Sequence, residues 1–357
     1  MGLDIRIIPR HPTSVARRGG VTLLALVAVG SAAVAWPSAA PAAKATPKPS
    51  AYALIDVTVA TLWGRPSYPR RVDAPSLTNP VHLGAWLTAL STSERVWLTG
   101  HLIDQGLYGQ RVAVWKRRGA WEKISLTGQA TRTGRSWPGW VPARQLTKPT
   151  PVSTEISAPP PPSTDEAVVA VRRAWLRADT SSGQPGRRLL DLSFNTRLSE
   201  LSQEGAWTTV QTPGGTSALI ASSAVVIRDP AAPVAPPTGR QLVRTAKLFL
   251  GLPYLWAGTS AYGFDCSGLT YTVYGFYGIV LPRTSEDQAK VGHTVRRKAL
   301  RPGDLVFFRT DPPSRDISHV AMYIGGGHII ESPHSGAAVH ITPLSKLLPY
   351  YAGARRY

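Results

Sequence analysis

The spacing of apolar and polar positions divides the chain into stretches of different period. Val57-Thr58-Val59-Ala60-Thr61-Leu62-Trp63 and Val168-Val169-Ala170-Val171 are β-branched runs bounded by turn residues, which predicts strands. No helical period stands out in residues 52–147 or 165–228. From Thr238 the pattern changes. Leu242, Ala246, Phe249 and Leu250 fall on one helical face, with Thr238 placed to cap it and Gly251 to end it. Leu269, Val273 and Phe276 again recur at helical spacing, from Asp265 as N-cap to Gly278. Leu305-Val306-Phe307-Phe308, after Pro302-Gly303-Asp304, predicts a buried strand. Residues 318–325 and 328–332 predict two more, closed into a hairpin by Gly325-Gly326-Gly327.

Proline-rich stretches separate these patterns. Residues 37–50 form an Ala/Pro/Lys tether, 148–164 contain Pro159-Pro160-Pro161-Pro162, and 229–237 are again rich in proline. Such segments cannot donate ladder hydrogen bonds and act as semi-rigid spacers. The expected units are therefore 52–147, 165–228 and 238–357. The first two look like copies. Gly109-Gln110-Arg111-Val112 through Gly119-Ala120-Trp121 to Ile124 aligns without a gap onto Asn195-Thr196-Arg197-Leu198 through Gly205-Ala206-Trp207 to Val210. A strand, a Gly-Ala-Trp turn and a second strand make a repeated hairpin, which suits a small barrel. Trp121, Trp140 and Trp207 are read as packing residues of those barrels.

Residues 1–45 read as an address. Arg6, Arg10, Arg17 and Arg18 precede an uncharged apolar run over 21–36, followed by small residues. That order predicts a cleaved secretory signal. The run, broken by Gly30 and Ser31, is shorter than the ~20 residues needed to span a bilayer, so stable membrane insertion is not expected.

Composition narrows the chemistry. The chain has 357 residues with 40 Lys+Arg against 21 Asp+Glu, a formal net charge of +19. An exported chain this basic suits an anionic surface. No basic run interleaved with aromatics points to nucleic acid. The single cysteine, Cys266, rules out an intramolecular disulfide framework, a cysteine zinc cluster and a CxxC pair. The spacing of His293, His328, His334 and His340 matches no metal-ligand pattern, so neither a metal nor another cofactor is expected.

Cys266 falls in the first turn of the helix that Asp265 caps, where the positive end of the dipole favours thiolate. Such a thiol needs a base from elsewhere in the chain. His319 opens the first strand of the glycine-closed hairpin, and Glu331 lies on the second strand. A carboxylate there can orient the imidazole, as in a triad.

Three resemblances follow from these residues. The Gly-Ala-Trp hairpin, followed in the first copy by Gly139-Trp140-Val141-Pro142-Ala143, resembles the bacterial SH3-like domain. The second copy has only residues 217–226 in that place. Tyr254-x-Trp256-x-Gly258, Phe264-Asp265-Cys266-Ser267-Gly268, Leu281-Pro282-Arg283-Thr284-Ser285, Pro302-Gly303-Asp304-Leu305 and His319-Val320-Ala321-Met322-Tyr323-Ile324-Gly325 together resemble the NlpC/P60 family of cell-wall cysteine peptidases. The implied architecture is two small all-β SH3-like barrels followed by an α+β, papain-like peptidase domain. The resemblance implies Cys266 as nucleophile, His319 as base and Tyr254 assisting at the oxyanion site. The third polar residue is usually histidine in this family, and Glu331 stands there instead. The barrels-plus-peptidase order is similar to the subgroup that cuts the γ-D-glutamyl to diamino acid bond of stem peptides with a free L-alanine end. There Asp265 and Ser267 would hold the substrate amine. Peptidoglycan or muropeptides are thus the expected partners, and the cell wall the expected location. An N-acetylmuramoyl-L-alanine amidase and a non-catalytic wall-binding protein are the alternatives.

Overall fold

The computed structural model describes residues 48–129, 137–148, 150–151, 165–180, 184–232, 234–311 and 313–357. The expected signal over 1–45 and most of the spacer 148–164 lie outside them.

The first unit is a seven-stranded antiparallel sheet. Its strands are β1 (Ala51–Leu54), β2 (Val59–Trp63), β3 (Leu102–Leu107), β4 (Arg111–Arg118), β5 (Trp121–Leu126), β6 (Gly139–Pro142) and β7 (Thr150–Pro151), in the order β3-β2-β6-β5-β4-β1-β7. The second unit repeats this plan with β8 (Glu166–Val169), β9 (Arg173–Asp179), β10 (Pro185–Ser193), β11 (Arg197–Glu204), β12 (Trp207–Gln211), β13 (Ser217–Ala221) and β14 (Val225–Arg228). Its order, β10-β9-β13-β12-β11-β8-β14, is the first order shifted by one copy. The repeated Gly-Ala-Trp turn lies between β4 and β5 and between β11 and β12. Gly119 and Gly205 take φ of 56° and 55° there, a left-handed conformation in which a Cβ is costly. Of the three tryptophans, Trp140 is buried in the sheet, whereas Trp121 and Trp207 are half-buried.

One expectation fails in the first unit, which does contain helices. Between β2 and β3 lie α1 (Leu83–Ala89) and α2 (Thr92–Trp97). At seven and six residues they are too short for a period to register. A local signal was nevertheless present. Ser91 caps α2 and Glu94 closes the reciprocal bond, the capping-box pattern. Trp86 of α1 packs tilted against Trp63, with ring centroids 6.5 Å apart, so the insertion adds its own small core to the barrel.

The third unit opens with α3 (Gly239–Lys247), capped by Thr238 as the sequence predicts. Leu242, Val243 and Ala246 are buried, while Leu250, expected on the same face, lies beyond the last turn and is exposed. A short ribbon of β15 (Thr259–Ser260) and β16 (Gly263–Phe264) leads into α4 (Cys266–Phe276), followed by α5 (Ser285–Gln288). The remaining strands are β17 (His293–Thr294), β18 (Leu305–Phe308), β19 (His319–Gly325), β20 (His328–Glu331), β21 (His340–Pro343) and β22 (Tyr351–Arg356). They form one antiparallel sheet in the order β17-β22-β18-β19-β20-β21. Helix α4 packs on this sheet through Leu269, Val273 and Phe276, with Leu305, Phe307, Val320 and Met322 in the same cluster. A buried helix against an antiparallel sheet makes this unit α+β.

The units share cores. Phe194 of the second barrel packs on Phe249 and Phe276 of the third unit, at centroid distances of 5.2 and 4.7 Å. Leu255 and Ala257 join the cluster of Trp63, Trp86 and Leu102 from the first barrel. The segment just before Cys266 is therefore clasped from both sides.

Candidate active site

Helix α4 places Cys266 as its first residue. Asp265 is the N-cap and accepts the Gly268 N–H at 2.6 Å. The first N–H groups of the helix have no intrahelical partner and point toward the thiol end, so the helix start favours negative charge. The helix enters under a tight backbone crossing. A Cβ on Gly268 would sit 1.9 Å from the Gly258 carbonyl oxygen, so only glycine fits there. The same carbonyl accepts the Asp265 N–H at 3.1 Å, which fixes the Tyr254-to-Gly258 loop against Cys266.

His319 begins β19, and its partner Phe308 on β18 holds the ring at 5.8 Å between centroids. Glu331 ends β20. The Glu331 Oε2 lies 2.7 Å from His319 Nε2, and the Cys266 thiol is near enough to the same ring to help raise its proton affinity. With Nε2 taken by the carboxylate, Nδ1 is left for the thiol. Both His319 and Glu331 are buried, so the hairpin's glutamate is not solvated as strand-end glutamates commonly are. Burial alone would drive the proton off His319. Hydrogen bonds to Cys266 and Glu331, and the negative charge of each, overcome it and raise the imidazole to about 9. Thiol, imidazole and carboxylate thus form a line in which an imidazolium is favoured next to a thiol at a helix start. That arrangement can carry out nucleophilic acyl transfer.

Cys266 opens onto a cavity of about 350 Å³ lined by Tyr254, Trp256, Asp265, Ser267, Arg283 and Ser285 from the third unit. Leu102, Ile103 and the half-exposed Trp137 of the first barrel close its other side. Tyr254 is buried, and burial together with the nearby charge of Cys266 and Asp265 raises its phenol, which stays a neutral hydrogen-bond donor. Asp265, Ser267 and Tyr254 line this cavity together with Cys266.

Two charged residues escaped the sequence reading. Arg283 lies buried between two aspartates, with Nε 2.8 Å from Asp104 Oδ1 and Nη2 2.7 Å from Asp265 Oδ2. It also donates to Asp265 Oδ1 at 3.0 Å and Ser267 Oγ at 3.1 Å. Arg283 sat inside the Leu-Pro-Arg-Thr-Ser motif, so its signal was on the page. Asp104 belongs to β3 of the first barrel and had none. Burial raises the Asp104 carboxyl, against which Arg283 pulls it down. Around this bridge the barrel is stitched to the loop before Cys266. Trp256 Nε1 donates to the Leu102 carbonyl at 3.1 Å, and Gln105 Oε1 accepts from Thr259 N–H and Ser260 Oγ at 3.1 and 2.9 Å. Among the described residues no group of three or more His, Cys, Asp or Glu is arranged to hold a metal ion, and no helix is long and apolar enough to cross a membrane.

Comparison with known proteins agrees with this geometry. The sequence matches the NlpC/P60 family over residues 251–354 and the YKFC SH3b2 domain over residues 169–227. A Bacillus cereus protein called gamma-D-glutamyl-L-lysine dipeptidyl-peptidase is 40% identical over 322 residues, covering 88% of this chain and 93% of that one. The chain belongs to the NlpC/P60 family. A Bacillus subtilis relative of the same name is 32% identical over 293 residues, 81% of this chain and 93% of its own. A crystal structure of an NlpC/P60 family protein from Bacillus cereus superposes with a TM-score of 0.77 at 38% identity, over 86% of this chain and 99% of that one. The likeness thus runs through both barrels and not only the peptidase. As an NlpC/P60 protein the chain is a cysteine peptidase of the cell-wall hydrolase kind, with SH3-like units ahead of an α+β catalytic unit.

Proposed function

We propose that the protein hydrolyses the γ-D-glutamyl to diamino acid bond of peptidoglycan stem peptides, with Cys266 as nucleophile. The observation that carries this reading is the line Cys266–His319–Glu331, whose thiol opens on a cavity that the first barrel closes, in a chain similar over most of its length to dipeptidyl-peptidases of that name.

Cys266 Sγ, as thiolate beside the His319 imidazolium, attacks the carbonyl carbon. The developing oxyanion takes hydrogen bonds from N–H groups at the start of α4 and from the Tyr254 hydroxyl. His319 then gives its proton to the leaving amine of the diamino acid, which departs and leaves a thioester. Water enters, His319 takes its proton, and the acid product leaves with the thiol restored. Glu331 keeps the ring oriented and favours the imidazolium through both steps. Asp265 and Ser267 face the cavity and hold the free amine of the L-alanine end. Arg283 orients the Asp265 carboxylate for this role, which is why an acid beside the nucleophile stays ordered. The barrel wall of Leu102, Ile103 and Trp137 bounds the cavity of about 350 Å³ in which the peptide end would sit. Residues 1–45 export the protein to the wall, where its basic surface meets anionic polymer.

Digestion of defined muropeptides, with and without a free L-alanine terminus, tests the reading by the masses of the products. Release of L-alanyl-γ-D-glutamate only from the free-terminus peptide is expected, and Cys266→Ala is expected to release none. Free muramic acid ends would identify an amidase instead. Cleavage retained in Cys266→Ala would remove Cys266 from the mechanism.

A further inference from the structure

Glu331 has two oxygens, and the triad uses one. Oε2 meets His319, while Oε1 lies 3.5 Å from Nε2 of His340. His340 is the cross-strand partner of Glu331, opposite it where β21 pairs with β20. Its ring is not free to turn away, because Nδ1 lies 2.8 Å from the Ala338 carbonyl oxygen. That carbonyl belongs to a fixed segment. Ala338 bridges Pro253, the Ala337 carbonyl accepts the Tyr254 N–H at 2.8 Å, and Val339 exchanges backbone hydrogen bonds with Gly251 and Leu252. His340 therefore hangs from the same scaffold that holds Tyr254.

Both ring nitrogens of His340 face acceptors: a carbonyl oxygen at one, a carboxylate oxygen at the other. The Ala338 carbonyl fixes the ring, and the fixed ring backs the Glu331 oxygen that His319 does not use. We propose that His340 is a positioning residue that holds Glu331 toward His319. The titratable groups that share this site are Glu331 on β20, His319 on β19 and Cys266 on α4. Tyr254, on the loop packed against Ala338, stays neutral. A carboxylate with a fixed ring behind its free oxygen does not easily rotate its engaged oxygen away from His319, a soft motion for a terminal sp³–sp² torsion. Here the family's usual histidine at the Glu331 position is replaced by a carboxylate that brings a histidine with it.

The inference rests on the peptidase reading, and two readouts separate their failures. Steady-state kcat and KM on a γ-D-glutamyl peptide, and iodoacetamide alkylation of Cys266, are measured from pH 5.5 to 8.5 in wild type, His340→Leu and His340→Lys. The His340 side chain is 45% exposed, so these variants are expected to fold, and circular dichroism checks this. Cys266 is the chain's only cysteine, so the alkylation signal is unambiguous. In His340→Leu, kcat and the alkylation rate are expected to fall roughly tenfold at pH 6, the scale of losing a second-layer partner, with KM within about twofold. His340→Lys, which keeps a donor toward Glu331, is expected to track wild type. A His340→Leu variant indistinguishable from wild type, or no rescue by lysine, would each overturn the proposal. Should wild type fail to cleave the peptide, the substrate reading falls and the alkylation profiles still decide the role of His340.

Discussion

Glu331 stands where the family's usual third residue is histidine, and the substitution changes what the site does with charge. A carboxylate 2.7 Å from His319 gives full negative charge where a neutral imidazole would give a dipole. It helps raise His319 to about 9 against the pull of burial. In the proposed mechanism the leaving amine takes the His319 proton, so the basic limb of kcat/KM is expected near pH 9 in wild type. Glu331→Gln keeps a hydrogen-bonding shape and removes the charge, so the imidazolium loses support and burial is left less opposed. The basic limb should then move toward lower pH, by less than the whole shift because Cys266 still supports the imidazolium. A pH–rate profile of the two enzymes checks the direction, and a limb that stays near 9 would mean that Glu331 contributes orientation only. At this scale the sequence was most informative. Cys266 was legible because a lone thiol followed an N-cap aspartate, and His319 because it opened a strand of the right pattern. Asp104 was not, because its partner Arg283 is far along the chain and no local pattern marks a contact made only on folding.

Helix α4 is held at both ends by different parts of the chain. Its start carries Cys266, and its last carbonyls are capped from the second barrel. Arg197 Nη2 donates to the Gly275 carbonyl at 2.9 Å, and Arg228 donates to the Phe276 carbonyl while its guanidinium lies 4.4 Å from the Phe276 ring centroid. Cations at a helix C-terminus satisfy orphan carbonyls and oppose the negative end of the dipole, worth about 0.3–1 kcal/mol each. The double substitution Arg197→Ala with Arg228→Ala is expected to cost about 1–2 kcal/mol in urea unfolding, on the same scale. It should lower kcat more than KM, since the thiol loses its fixed position while the cavity wall is untouched. Unchanged stability would show these arginines to be solvent-exchangeable surface contacts. The apolar period of α4 was visible in the sequence, as was the cap of α3. Helices α1 and α2 were not, because fewer than two turns give the period too few repeats to register, and only the Ser91–Glu94 capping box marked one of them. The repeated barrel was legible from its Gly-Ala-Trp turn, where backbone geometry demands glycine; the matching strand order of the two sheets shows how far that short motif reached.

The cores of the three units interpenetrate, so the units are expected to unfold as one body. At the first barrel the joint adds an ionic bridge to the apolar cluster around Leu255. Arg283 is fully enclosed between Asp104 and Asp265, and Arg283→Met would leave both carboxylates buried without a counterion. Removing one partner of a buried pair costs about 3–5 kcal/mol, and Asp104→Asn in the same chain should recover part of it. At the second barrel the joint is aromatic. Phe194 sits at the junction of β10 and β11 yet spends its side chain on Phe249 and Phe276, in the cluster that also holds Leu269 and Cys266. A cavity there cannot be relieved by the barrel alone, since the barrel's own core lies around Leu176, Leu192 and Val210. Phe194→Ala is therefore expected to destabilise the protein by about 3–5 kcal/mol. Thermal unfolding followed by tryptophan fluorescence and by loss of activity should show one transition, shifted down for both signals. Trp175→Ala, on the exposed face of the same barrel, should stay within about 0.5 kcal/mol of wild type. Two separate transitions in Phe194→Ala, with activity surviving the first, would mean that the barrel is an appendage and the peptidase carries its own stability. A single shifted transition would mean that the second barrel is part of the catalytic unit's core, and that α4 is held in place only by a chain folded from Ala51 to its end.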